Sequence, residues 1–281
     1  MDRPIAILDS DVGGLRVMTA LALRAPAEDF VYLADTGRGP YGARPVAEVR
    51  RWTEECAYYL LRFDPKVLVV TCHTMGVVAG EDLRKRLRVP VFVTPGLLCQ
   101  QAAAESTDRP LALLATETAL AMGFYQDSLG GAAPSGSPPR RRLVCCPVTS
   151  LLEALEAQAS EEEVRALLDE VLAPARQAGA STLLLGDGLL SGLAGLVGEV
   201  LGVGARVVDV GDDLVDEVER MLTMTVLARP PGPDGERTIF VSGDRERFRA
   251  RGVRVCGEPL GRVDAASPER FFRQLATLGQ G

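Results

Sequence analysis

Short apolar runs alternate along this chain with segments of helical pattern. Nine runs read as strands: 5–9, 30–35, 66–72, 90–93, 111–116, 142–147, 182–187, 205–210 and 238–243. Most are rich in Val, Leu and Ile without polar alternation, as strands become when both faces of a sheet are covered. Strand and helix in alternation predict a parallel sheet flanked by helices. The clearest helix is 161–175, where Val164, Leu167, Leu168, Val171 and Leu172 recur on one face. Ser160 and Glu163 have the spacing of a capping box ahead of it. Residues 130–142 and 228–237 are too rich in Gly and Pro for regular structure and are expected to be loops. The two halves share a loose pattern. An apolar strand runs into a small polar cluster (VLVVTCHT at 67–74, LLLGDG at 183–188) and then into a helix. In open α/β sheets such strand ends are where ligands bind.

Composition narrows the function classes. A formal net charge of −7 over 281 residues leaves no cation excess for general nucleic-acid binding. The Arg clusters at 50–51, 84–88 and 140–142 read as solvated faces. No apolar run is long enough to span a bilayer, and the chain enters the strand-like Pro4–Leu8 at once, with no room for a signal peptide. The six cysteines lie at 56, 72, 99, 145, 146 and 256, in neither C-x-x-C nor zinc-ribbon spacing. That predicts unpaired thiols in a reducing cytoplasm.

Four polar clusters end predicted strands. Asp9-Ser10-Asp11-Val12-Gly13-Gly14 would turn into a helix whose N-terminal amides can hold an anion. Asp35-Thr36 precedes Gly39-Pro40-Tyr41-Gly42-Ala43, a rigid loop expected to present one aromatic hydroxyl. Thr71-Cys72-His73-Thr74 places a cysteine between a strand end and a helix N-terminus, where a thiolate is stabilised, with the only histidine beside it. Gly186-Asp187-Gly188-Leu189-Leu190 is the fourth.

Taken in order, these clusters resemble the motifs of the glutamate racemases. That family opens with D-S-G-V-G-G, matched by Asp9 to Gly14 except at Asp11. Its D-T-x-x-x-P-Y-G loop is matched by Asp35, Thr36, Pro40, Tyr41 and Gly42, and its V-V-A-C-N-T by VVTCHT at 69–74. V-P-V…P-G appears as Val89-Pro90-Val91 and Pro95-Gly96, and F-x-x-G-D as Phe240, Gly243 and Asp244. The resemblance spans nearly the whole chain.

It implies two similar α/β domains, flavodoxin-like or Rossmann-like, each a parallel sheet flanked by helices and facing a central cleft. Residues 1–95 plus 205–281 would form the first and 96–204 the second. It further implies a cytoplasmic isomerase that takes a small amino acid or carboxylate and supplies a peptidoglycan precursor. Neither metal nor pyridoxal cofactor takes part. In the family one cysteine from each domain flanks the α-carbon of glutamate, and two groups are needed because a single base can only return a proton to its own face. The cysteine at the position of Cys72 acts on the D-isomer. Carried over by position, Cys72, Asp9 and Asp187 are the catalytic candidates. Ser10, Pro40, Tyr41, Gly42, His73, Thr74, Thr116, Thr118 and Gly188 are the substrate-binding ones.

The pattern breaks at the site. The family's second cysteine belongs to G-C-T-H, which reads Gly186-Asp187-Gly188-Leu189 here. Its asparagine after the first cysteine is His73, its glycine after D-S is Asp11, and the second threonine of G-T-x-x-T falls at Ala119, beside Thr118. Asp11 and Asp187 would add negative charge where glutamate brings two carboxylates, and a carboxylate is a weaker base than a thiolate. Three readings follow: one-sided acid/base chemistry at Cys72; a non-catalytic paralogue that binds a ligand or a protein partner; and a racemase with Asp187 as second acid/base. A homodimer is compatible with each. Asp9, Asp11, Cys72, His73 and Asp187 match no metal-ligand spacing, and no metal is expected.

Overall fold

The computed structural model describes residues 3–104, 109–130, 142–202 and 204–278, with side chains to 275. In chain order its strands are β1 Ile5–Asp9, β2 Phe30–Ala34, β3 Val67–Val70, β4 Val91–Val93 and β5 Leu111–Ala115. They continue as β6 Leu143–Pro147, β7 Thr182–Leu185, β8 Arg206–Val208, β9 Arg237–Val241 and β10 Val263–Ala265. Each predicted run coincides with a strand, β9 beginning one residue before its run. β10 is additional: a short strand of which only Val263 is buried, too little apolar surface to mark it. The chain divides into two compact units, Met1–Thr94 with Gly211–Gly281, and Pro95–Val210.

The first unit holds a six-stranded sheet in the order β10-β9-β2-β1-β3-β4, parallel throughout. Its central strands are buried along their whole length, which is why they read as continuous apolar runs. From β1 the chain steps to β2 on one side and then crosses to β3 on the other. The strand order therefore reverses between β1 and β3, and a parallel sheet opens a crevice at the carboxyl ends of such a pair.

The second unit repeats this plan with four parallel strands, β6-β5-β7-β8, and reverses between β5 and β7. Its core gathers Leu114, Val144, Leu151, Leu168, Leu172 and Leu183. The helix Glu161–Gln177 carries the capping box, with the Ser160 hydroxyl accepting the Glu163 N–H at 3.3 Å and Glu163 accepting the Ser160 N–H at 2.8 Å. β8 pairs with β7, so the chain returns to the first unit at 211 and not at 205. Local pattern marks a strand but not the sheet it joins.

Of the two expected loops, 130–142 lies almost wholly outside the described residues. The other, 228–237, runs without regular structure into β9 at Arg237. The six cysteines form no disulfide. Among the described residues no helix is long and apolar enough to cross a membrane.

Candidate functional site

Register builds the first cluster. Leu8 pairs with Val70, and the Thr71 N–H continues the ladder to the Leu8 carbonyl at 3.0 Å. Asp9 thus stands abreast of Thr71, and Ser10 abreast of Cys72. The Thr71 hydroxyl donates to Asp9 Oδ2 at 2.5 Å, and the Asp11 N–H donates to Asp9 Oδ1 at 2.9 Å. Burial still outweighs these donors and pushes the Asp9 carboxyl up from 3.8 to about 6. Ser10 Oγ donates to Cys72 Sγ at 3.2 Å. Cys72 is the N-cap of the helix His73–Arg86, in an extended conformation and without a side-chain capping hydrogen bond. A hydroxyl donor and a helix N-terminus both favour thiolate over thiol. Gly14 lets the following helix lie close, since a Cβ there would collide with the Thr71 hydroxyl and the Asp9 carboxylate.

Asp11 does not load this site with free negative charge. Its carboxylate lies against the Arg251 guanidinium, with NH1 donating to Oδ1 at 2.9 Å and NH2 to Oδ2. Burial raises the Asp11 carboxyl, and Arg251 opposes that shift. Arg251 comes from the helix Arg245–Cys256, whose N-cap, Asp244, accepts the Glu246 and Arg247 N–H groups at 2.9 and 3.0 Å. Gly243 precedes it because a Cβ there would stand 2.6 Å from Thr36 Oγ1. The late F-x-x-G-D motif is thus a close chain crossing followed by a cap. His73 and Thr74 are buried, and burial lowers the His73 imidazole to about 3. It is neutral near pH 7.

The Pro40–Gly42 loop differs from expectation. Tyr41 is buried and its hydroxyl donates to Asp35, so the loop presents no aromatic hydroxyl. Asp35 is fully buried and also receives Arg38 Nε at 2.7 Å and Ser242 Oγ at 2.6 Å. Arg38 continues to Glu55 and, at 3.3 Å, to Cys56 Sγ. Burial holds the Cys56 thiol well above its ordinary range. This network anchors the loop from within.

The second unit places its candidates on the same plan. Leu114 pairs with Leu185, which sets Thr116 abreast of Asp187 just beyond the strand ends. Thr116 therefore corresponds in register to Ser10, and Asp187 to Cys72. Thr116 is a helix cap whose hydroxyl accepts the Ala119 N–H at 3.3 Å. Thr116 and Thr118 are buried, and Gly188 is half-buried. Asp187 Oδ1 accepts the Leu189 N–H at 2.9 Å, and its carbonyl accepts the Leu190 N–H at 3.2 Å. The chain then makes a single 3-10 turn, Leu190–Leu193, before the helix Ala194–Leu201, unlike the direct entry into helix after Cys72.

Arg251 and Ser242 stand in no sequence cluster, and Thr71 stands in the third one without a role of its own. Thr71 had a signal, since its spacing from Cys72 equals that of Asp9 from Ser10. Among the described residues no three His, Cys, Asp or Glu side chains gather where a metal ion could sit.

Residues 15–218 match the family model described as Asp/Glu/Hydantoin racemase. A glutamate racemase of Mycobacterium ulcerans is 31% identical, over 94% of this chain and 96% of its own. Another, of a Parafrankia species, is 29% identical over 99% of each chain. The crystal structure of glutamate racemase from Thermus thermophilus in complex with β-chloro-D-alanine superposes with a TM-score of 0.81 at 30% identity, covering 95% of this chain and 98% of that one.

Proposed function

The chain belongs to the Asp/Glu/Hydantoin racemase family, and from that premise we propose that it is a glutamate racemase-like protein in which Cys72 carries out one-sided acid/base chemistry. Its substrate would be glutamate or a related small amino acid or carboxylate. The Ser10-to-Cys72 hydrogen bond at a helix N-cap carries this reading. The Cys72 thiolate takes the α-proton, the electron pair stays on the α-carbon, and the thiol returns a proton to the same face. If the thiol exchanges with solvent first, deuterium enters without inversion. No step calls for a metal or pyridoxal phosphate. Racemisation needs a second group acting on the opposite face of the substrate, and the position of the family's second cysteine is Asp187 here.

One observation favours a two-sided enzyme instead: Asp187 holds the register position that Cys72 holds in its own unit. Against it, Asp187 Oδ1 is turned to the Leu189 N–H of its own turn, and a single 3-10 turn replaces the direct entry into helix that follows Cys72.

Incubation with D- and L-glutamate in D₂O, followed by proton NMR and optical rotation, separates these readings. Deuterium should enter D-glutamate with its configuration retained, L-glutamate should stay untouched, and Cys72→Ser should abolish exchange. Racemic product lost in Asp187→Asn would establish the two-sided enzyme. No exchange in either isomer would leave a paralogue that binds a ligand or a protein partner without catalysis.

A further inference from the structure

Asp11 stands where the resembling family has glycine, and its side chain has acquired a buried partner. Three of its groups are fixed. Its N–H donates to Asp9 Oδ1 at 2.9 Å, its carbonyl accepts the Tyr32 hydroxyl at 2.6 Å, and its carboxylate is held bidentately by Arg251. The side chains of Asp11 and Arg251 are only 11% and 12% exposed. A pair this deep contributes little net stability, because desolvation consumes most of its Coulombic gain. What the fork-to-carboxylate geometry supplies is direction. Ser10 lies between Asp9, tied to Thr71 on the neighbouring strand end, and Asp11, tied to the helix Arg245–Cys256. Its hydroxyl therefore has a fixed origin from which to reach Cys72 Sγ.

We propose that the Asp11–Arg251 pair is a positioning device that fixes the Asp9–Asp11 turn so that Ser10 Oγ stays aimed at Cys72 Sγ. Arg251 is a positioning residue, acting through Asp11 and Ser10. The inference rests on Cys72 being the proton-transfer group, and its test is made without substrate so that the two can fail separately. The ionisable groups around this turn include Asp9, Asp11 and Tyr32 from the adjacent strands and loop, His73 next to the thiol, and Arg247, Arg251 and Cys256 from the helix. His73 is neutral near pH 7, and the other groups are present in every variant except those that remove the pair itself.

The measurement is the ionisation midpoint of Cys72, read from ultraviolet thiolate absorbance as the difference between each protein and its Cys72→Ser counterpart. Ser10→Ala should raise the midpoint by about one pH unit, the lower range for a hydrogen bond to a charged group. Arg251→Met should raise it comparably. The double variant Ser10→Ala/Arg251→Met should go no higher than Ser10→Ala alone, because both changes remove one contact. Asp11→Gly/Arg251→Met strips out both charges, leaves no buried ion unpaired, and should show the same rise even where Arg251→Met alone is poorly folded. Additive shifts in the double variant, or a wild-type midpoint in the charge-free variant, would overturn the proposal. Coupled shifts in a protein that exchanges no deuterium into D-glutamate would uphold it while defeating the proposed function.

Discussion

Asp9 and His73 flank the Cys72 region with opposite effects on stability. Folding raises the Asp9 carboxyl to about 6 from 3.8, so between those values the folded state holds a proton the unfolded chain has released. Raising the pH through that window therefore costs stability, about 3 kcal/mol in all. Folding lowers the His73 imidazole to about 3 from 6.5, so there the unfolded chain holds the extra proton and raising the pH adds stability. From pH 4 to 6 the two slopes cancel, each near ~1.4 kcal/mol per pH unit. Urea midpoints across that range should rise with pH in Asp9→Asn relative to wild type, and fall with pH in His73→Asn. Variant profiles parallel to wild type would show that neither group titrates as its burial dictates. At this scale Asp9, Ser10 and Cys72 were legible because each closes a buried apolar run. Arg251 was not: Arg245, Arg247, Arg249, Arg251 and Arg254 share one helix, and which of them turns inward depends on what the helix packs against. Tyr41 misled for a similar reason, since loop composition does not encode where a hydroxyl points.

Among the elements, the strands were legible wherever both faces are buried, and β10 was lost because only Val263 of its three residues is buried, although it pairs with β9. The segment 228–237 shows the opposite limit, since Gly and Pro mark it as irregular without saying that it is pinned. Lys66 at the entry to β3 pairs with Glu28 and donates to the Leu227 carbonyl at 2.9 Å. Glu28 also accepts the Arg229 N–H at 2.7 Å, and Arg229 meets Asp29 at 2.8 Å. Lys66 and Glu28 are 2% and 3% exposed, so removing one partner strands the other charge. Lys66→Met should therefore cost about 3–5 kcal/mol in urea unfolding, whereas Glu28→Leu/Lys66→Met should recover most of that loss. Limited proteolysis should first cut Lys66→Met within 228–236. A double variant as unstable as the single one would mean that the strap depends on these side chains for more than charge balance.

For the whole molecule, the two units differ in how they are assembled from the chain, and that difference has a measurable consequence. Pro95–Val210 is continuous in sequence. Its four strands pair only with one another, and its apolar core, centred on Leu114, Leu168, Leu172 and Leu183, is drawn from its own residues. Its length falls in the range in which single domains commonly fold alone. The first unit is closed only when the returning chain inserts β9 against β2, in register from Phe30–Arg237 to Ala34–Val241. Without 211–281, β2 would be left as an unpaired apolar edge, which favours association between chains over folding. The fragment 95–210 should accordingly give dispersed amide resonances and a single cooperative urea transition, while the fragment 1–94 should be unfolded or aggregated. Folding of 1–94 with native-like dispersion would show that β9 and β10 are dispensable to the first sheet. A non-cooperative 95–210 would show that its core requires the rest of the chain, and the two repeats of one strand plan could then not be treated as independent folding units.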